Sequence, residues 1–278
     1  MKGITMAGGN PLFNSKTFQS DARGGTVGFG TAAAQQTVQQ NQMSAQQLQD
    51  MYNQPAAGPL QTGRMTINDV VAKTLICFAL VIIGAAVGWQ LPALMLPAVI
   101  IGLVLGLVNS FKREVSPVLV ALYAAAEGIF LGGISGVFES MYPGIVMQAV
   151  LATFSVFAVT LVLYRSGKYR ATPRMTKMFM IAMIGYLVFS LLNLVLMLTG
   201  AVDGMFGLRS GWIGLAIGAL AVLLATYSLV LDFTQIQEAV AHGAPEKFAW
   251  RCAFGLTVTM VWLYVEILRI LAILRGDD

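Results

Sequence analysis

Trp212 to Glu238 reads WIGLAIGALAVLLATYSLVLDFTQIQE. About 20 of these residues are compatible with lipid, enough for one helix to cross a bilayer. No Gly or Pro separates the apolar run from Asp232. The carboxylate therefore belongs to the same helix, at or just inside the membrane boundary. An acid at that depth is costly unless it is paired, hydrated or functional. The question for the rest of the chain is what faces Asp232.

The 278 residues are 57% hydrophobic and only 11% charged, whereas a soluble domain carries roughly a quarter charged residues. An ordinary globular enzyme is excluded on that ground. Apolar residues begin near Val70 and continue almost to the last residues. The formal charge of +4 sits in a few loops, and no basic stripe is interleaved with aromatics, so a nucleic-acid partner is not expected. Cys77 and Cys252 lie in or beside apolar segments, with neither disulfide nor metal spacing. The first 15 residues are rich in Gly and Asn and lack an apolar h-region. No cleavable signal peptide is expected, and the first span directs insertion.

Two parts are expected. Residues 1–63 form a polar tail whose middle is dominated by Gln35, Gln36, Gln39, Gln40 and Gln42. It buries too little apolar surface to offset its ordering entropy and reads as disordered, with partner binding as the alternative. Residues 64–278 read as an all-α transmembrane domain of seven spans. Thr66 to Asp69 supply caps before the first span, Val70 to Gln90. The others run from Ala93 to Phe111, Pro117 to Phe138, Ile145 to Tyr164, Met178 to Leu198, Trp212 to Val240 and Phe248 to Leu274. The seventh contains Arg251, Glu266 and Arg269, so both a crossing and a non-crossing helix fit it. Lys and Arg concentrate at Arg64, at Lys112 and Arg113, between Arg165 and Lys177, and at Lys247 and Arg251. Arg209 is the one basic residue in the loops on the other side. By the positive-inside rule the N-terminus is cytoplasmic. Small residues four apart, such as Gly102 and Gly106, Gly128 and Gly132, and Gly214 and Gly218, let helices approach closely. Packing within one bundle is the simpler reading and dimerisation the other.

The ionisable residues at membrane depth are Glu127, Asp232, Glu266, Arg269 and, near the boundary, Lys73. Glu127 lies about 16 Å into the third span at 1.5 Å per residue, near the midplane. Asp232, about 12 Å from its own helix end, reaches nearly the same depth. Two carboxylates at one depth can share a proton or a cation, and an oxygen-only pair suits Ca²⁺ better than Zn²⁺. The simpler reading of Glu127 is a neutral acid hydrogen-bonded to a neighbouring helix. Arg113 is a candidate counter-charge, or a snorkelling boundary residue. Glu266 lies about 27 Å along the last segment, three residues from Arg269, and reads as half of an internal ion pair. His242, in a Gly/Pro turn, is a solvated turn residue or a pH-responsive element. No nucleophile–base pair, triad or metal-hydrolase set can be assembled, so an enzyme is not expected.

From Leu231-Asp-Phe-Thr-Gln-Ile the chain resembles the Bax-inhibitor (transmembrane BAX inhibitor motif, YccA-like) family. Three further features fit: the seven spans, the Gly-rich third span and Trp262-Leu-Tyr-Val-Glu266-Ile-Leu in the last. The similarity covers about residues 65–275 and looks most like bacterial members of the plasma membrane. The resemblance implies a seven-helix bundle with a pH-sensitive calcium leak. In it, aspartates in the sixth and seventh spans sense protons, and a basic residue ending the second span latches one of them. Asp232 matches the first aspartate, and Arg113 matches the latch, with Lys112 as competitor. The second aspartate falls on Glu266 when aligned from the Leu-Tyr-x-acid pattern. It falls on Val258 when aligned from Pro245-Glu246. Asp232–Glu127 is ranked slightly above Asp232–Glu266 as the working pair, with Asp232 and Glu127 as candidate Ca²⁺ ligands. No obligatory cofactor is expected; lipid is the expected surrounding. A non-transporting scaffold for a membrane protease or another membrane partner is the alternative function.

Overall fold

The computed structural model describes residues 63–167, 170–202 and 204–276. The tail expected to be disordered lies, up to residue 62, outside the described residues. All regular structure among the described residues is helical: α1 (Ile67–Gln90), α2 (Met95–Phe111), α3 (Pro117–Met141), α4 (Ile145–Arg165), α5 (Pro173–Leu198), α6 (Gly211–Ala241) and α7 (Phe248–Gly276), with short 3-10 turns at Pro92–Leu94 and Gly207–Arg209. All seven spans, the second taking in the turn at Pro92–Leu94, are long and apolar enough to cross a membrane. The fold is that of a seven-span bundle, and its many exposed Leu, Ile and Val side chains are a lipid-facing surface.

The helix ends follow from local chemistry. Thr66 caps α1 through a reciprocal box with Asp69: the Asp69 amide donates to the Thr66 hydroxyl at 3.2 Å and the Thr66 amide to Asp69 at 2.8 Å. α5 begins five residues earlier than the apolar pattern suggests, because Thr172 accepts from the Met175 amide and Pro173 fits the first helical position. Arg174 and Lys177 thus ride on its first turns rather than in a loop. α3 likewise continues past Phe138 to Met141, which places Glu139 in its last turn. The Glu139 carboxylate accepts from the Gly144 amide at 2.6 Å and the Val146 amide at 3.1 Å, so it caps α4. α6 ends where Gly243 adopts φ +67, a left-handed conformation that glycine takes without strain.

α7, the segment whose crossing the sequence left open, is the centre of the bundle. In its most apolar window 72% of residues are buried, against 6% in α5. Its Leu263, Leu268, Thr257 and Ala253 are almost fully enclosed, and α1, α3, α4 and α6 pack around it. α5 lies at the periphery, with Asn193 its one buried residue. α1 and α3 meet backbone to backbone: a Cβ on Gly84 would lie 2.5 Å from the Ala125 carbonyl oxygen, and one on Gly128 or Gly132 would strike the backbone of Val81 or Ala85. The small-residue spacing of the third span therefore serves contacts within one chain. On the face where α1 starts, here called the near face, Arg64 bridges to Pro245 and Lys73 pairs with Glu246 at 2.8 Å. The far face carries the α5–α6 connection.

Candidate functional site

The most concentrated charge in the described residues is at Glu266 on α7. Its carboxylate accepts from Arg209 Nη2 at 2.8 Å and 3.1 Å and from Arg269 Nη1 at 3.3 Å. Tyr186 of α5 donates its hydroxyl to Glu266 and accepts from Arg209. The Arg209 guanidinium also sits 5.2 Å from the Tyr186 ring centroid, within cation–π range. Glu266 is 3% exposed and Arg269 7%. The spacing of three residues pairs Glu266 with Arg269, as expected for one helix face. Arg209 and Tyr186 were absent from that reading. The signal for Arg209 was present: a lone arginine in loops otherwise free of basic residues has a reason to be there.

The scaffold that aims Arg209 inward is built by Asn193. Its side-chain amide donates to the Phe206 carbonyl at 3.2 Å, and its oxygen accepts from the Leu208 amide at 2.7 Å. Gly207, at φ +57, lies so close that a Cβ would stand 2.6 Å from the Asn193 oxygen. Phe206 stacks on Phe138 of α3 with centroids 6.0 Å apart. The turn is thereby held, and Arg209 at its end reaches Glu266. Gly218 makes room on the opposing helix: a Cβ there would meet Ile270 at 2.6 Å and Arg269 Nη2 at 3.4 Å. Gly218 is seven residues into α6, so the arginine lies about 10 Å below the far end of that helix.

Asp232 is half-buried and turned toward α7. It accepts from the Thr259 hydroxyl at 2.8 Å, and a Cβ on Gly255 would lie 3.3 Å from its other oxygen. Ser228 stands 3.3 Å from the same Thr259 hydroxyl. Asp232 forms no ion pair among the described residues. Lys112 and Arg113 are exposed beyond the end of α2, and neither forms an ion pair with it. The contact expected between Asp232 and Arg113 is therefore not made in this structure, because Asp232 faces α7 and the basic pair lies in the α2–α3 connection. Thr259 and Glu266 are seven residues apart, so Asp232 and Glu266 differ in depth by about 10 Å.

Glu127 is also half-buried, on the face of α3 toward α2: a Cβ on Gly102 would lie 2.8 Å from its carboxylate. Its depth can be read across to α7 through two contacts, Tyr123 edge-on to Phe254 and the Ser135 hydroxyl bonded to that of Tyr264 at 2.7 Å. Between those marks Glu127 falls within about one turn of Thr259, the Asp232 partner. Glu127 and Asp232 are thus level, yet each faces a different helix and they share no hydrogen-bond partner. Val258, the other aligned position for a second acid, is an apolar residue adjacent to Thr259; what α7 presents to Asp232 is a hydroxyl and a glycine. No group of three or more His, Cys, Asp or Glu side chains comes together among the described residues. Cys77 and Cys252 are free and buried. His242 is exposed, its Nδ1 2.7 Å from the Glu238 carbonyl oxygen.

A profile of the family described as Bax inhibitor 1 like matches residues 10–276. The chain belongs to that family. The match starts well before residue 65, so the resemblance seen in the spans extends back through most of the Gln-rich stretch. No curated protein matches the chain. For this member of the Bax inhibitor 1 like family, the charge assembled inside the bundle is Glu266 with Arg209 and Arg269, together with the separate carboxylates Asp232 and Glu127.

Proposed function

We propose that the protein forms a regulated cation pathway, with Ca²⁺ or H⁺ as the cargo, across a bacterial plasma membrane with its N-terminus in the cytoplasm. The observation that carries this reading is the placement of three carboxylates inside the bundle. Asp232 and Glu127 share a depth on the near side, and Glu266 lies farther along and is held by two arginines. Acids at membrane depth mark ion and proton routes more often than they serve packing alone. In this reading Asp232 and Glu127 attract the cation, and the Glu266–Arg209–Arg269 cluster closes the far end. Protonation of the acids weakens that electrostatic closure and shifts a closed–open equilibrium. The basic partners of the gate are then Arg209 and Arg269, with Arg113 and Lys112 as residues of the entrance.

The test is calcium flux into liposomes carrying the full chain, measured from neutral to mildly acidic pH. Wild type should show flux that rises on acidification, and Asp232→Asn should change both its size and its pH profile. Equal flux in wild type and Asp232→Asn rejects the pathway. The second reading is a scaffold for a membrane protease or another membrane protein, with the Gln-rich stretch as its contact. Deleting residues 1–60 separates the two readings. A pathway keeps its flux without the Gln-rich stretch, whereas a scaffold that docks through it loses its co-purifying partner.

A further inference from the structure

Among the described residues, the cluster at Glu266 does not balance. Two guanidinium groups, Arg209 and Arg269, meet the one carboxylate described there, so these three side chains carry an excess positive charge. Arg269 is more than nine-tenths buried, and neither its Nε nor the buried Nε of Arg209 has an acceptor among the described residues. A buried guanidinium nitrogen without an acceptor carries a desolvation cost that a bound anion relieves. The two arginines and Glu266 also line a cavity of about 340 Å³, open on one side. Its remaining walls are apolar: Ile134, Val137 and Phe138 of α3, Phe206 of the far connection, and Val265 of α7. That volume falls at the lower end of the range of roughly 300–1,000 Å³ typical of small-ligand sites.

The geometry points to a binding site for the acidic head of an amphipathic anion, with a carboxylate or phosphate on Arg209 and Arg269 and an apolar tail along α3. A guanidinium fork recognises either head through charge-assisted hydrogen bonds. The cluster lies about 10 Å below the far end of α6, near the boundary between headgroups and hydrocarbon in a bilayer whose polar zones are each several Å thick. A lipid headgroup reaches that depth from the side, and a free fatty carboxylate reaches it from the leaflet. Glu266 competes for the same arginines, so an incoming anion replaces part of its hydrogen bonding. The site does not depend on whether the bundle conducts cations.

The test uses the full chain purified in a neutral maltoside. Radiolabelled oleate is the first probe, with monooleoylglycerol as its uncharged counterpart. The second is retention of phosphatidic acid over phosphatidylcholine in nanodiscs, read by mass spectrometry. Oleate should bind and monooleoylglycerol should not compete. Arg209→Gln should weaken oleate binding by about tenfold, the loss of one charged hydrogen-bond donor. Glu266→Gln should tighten it, since it removes the internal competitor but keeps a hydrogen-bond acceptor for the arginines. Oleate binding alone assigns the site to free fatty anions, and retention of phosphatidic acid alone assigns it to a membrane lipid. Binding of both assigns it to either source. Binding of neither, or equal competition by monooleoylglycerol, overturns the inference. Both comparisons are made on the wild type and need no variant to fold. Flux through the bundle is not read in this experiment, so failure here leaves the cation-pathway reading standing, and the converse also holds.

Discussion

Replacing Glu266 with Ala is the perturbation for which the structure makes the sharpest demand. The side chain is 3% exposed and accepts hydrogen bonds from Arg209, Arg269 and Tyr186. Its removal leaves two guanidinium groups in a largely apolar interior with no carboxylate partner among the described residues. Breaking a buried ion pair by removing one partner costs about 3–5 kcal/mol. At about 2–4 °C per kcal/mol for a domain of this size, the midpoint of thermal unfolding should fall by about 6–20 °C. Asp232→Ala provides the internal comparison. It removes one hydrogen bond, from a Thr259 hydroxyl that has Ser228 nearby as a second partner. The cost there should be about 1 kcal/mol, or a few degrees. A triple variant, Arg209→Met, Glu266→Met and Arg269→Met, should recover much of the loss, because a buried ion cluster exchanged whole for apolar side chains of similar size is often neutral. The assay is intrinsic-fluorescence unfolding in one detergent at one scan rate. A Glu266→Ala shift no larger than that of Asp232→Ala would refute the claim that this cluster is the principal electrostatic tie of the bundle.

Gly132→Leu should abolish a folded, monodisperse protein in size-exclusion chromatography, since even a Cβ overlaps the Ala85 backbone; Gly185→Ala, with no atom within 4 Å of the added carbon, should be neutral or raise stability by about 0.5–1 kcal/mol. Asn193→Ala should leave the Leu208 amide without its acceptor, lower stability by about 1–3 kcal/mol, and make the connection at 200–210 a protease site under conditions where wild type resists. Lys73→Met should change the unfolding midpoint little, with an effect of about 1 kcal/mol or less, because Glu246 is 56% exposed and the pair is screened by water.

Particular residues show which features could be read from the chain alone and which could not. The seven spans were legible because lipid admits only long apolar helices with few charges, so composition and length carry the information directly. The cap at Thr66, the break at Gly243 and the close approach at Gly128 and Gly132 were legible for a related reason: each is a local requirement met by a residue type at a fixed spacing. The Glu266–Arg269 pair belongs to the same class, since a separation of three residues sets it on one helix face. Arg209 meeting that pair across 57 residues of chain belongs to another class. It depends on where the α5–α6 connection lands, and therefore on the hold of Asn193 over Phe206 and Leu208. The partner of Asp232 was equally hidden, because rotation of α6 about its axis, set by burial of Leu229 in the core and by packing of Phe233 against Phe157 and Tyr164 of α4, selects Thr259 over another acid. The central place of α7 was hidden as well. Its charged residues resembled those of a surface helix until the fold supplied Arg209 and Tyr186 to enclose them. Helix number and extent are properties of consecutive residues and are determined before the chain folds. Which side chains meet inside the bundle depends on helix rotation and on the landing of loops, and only the tertiary packing decides those.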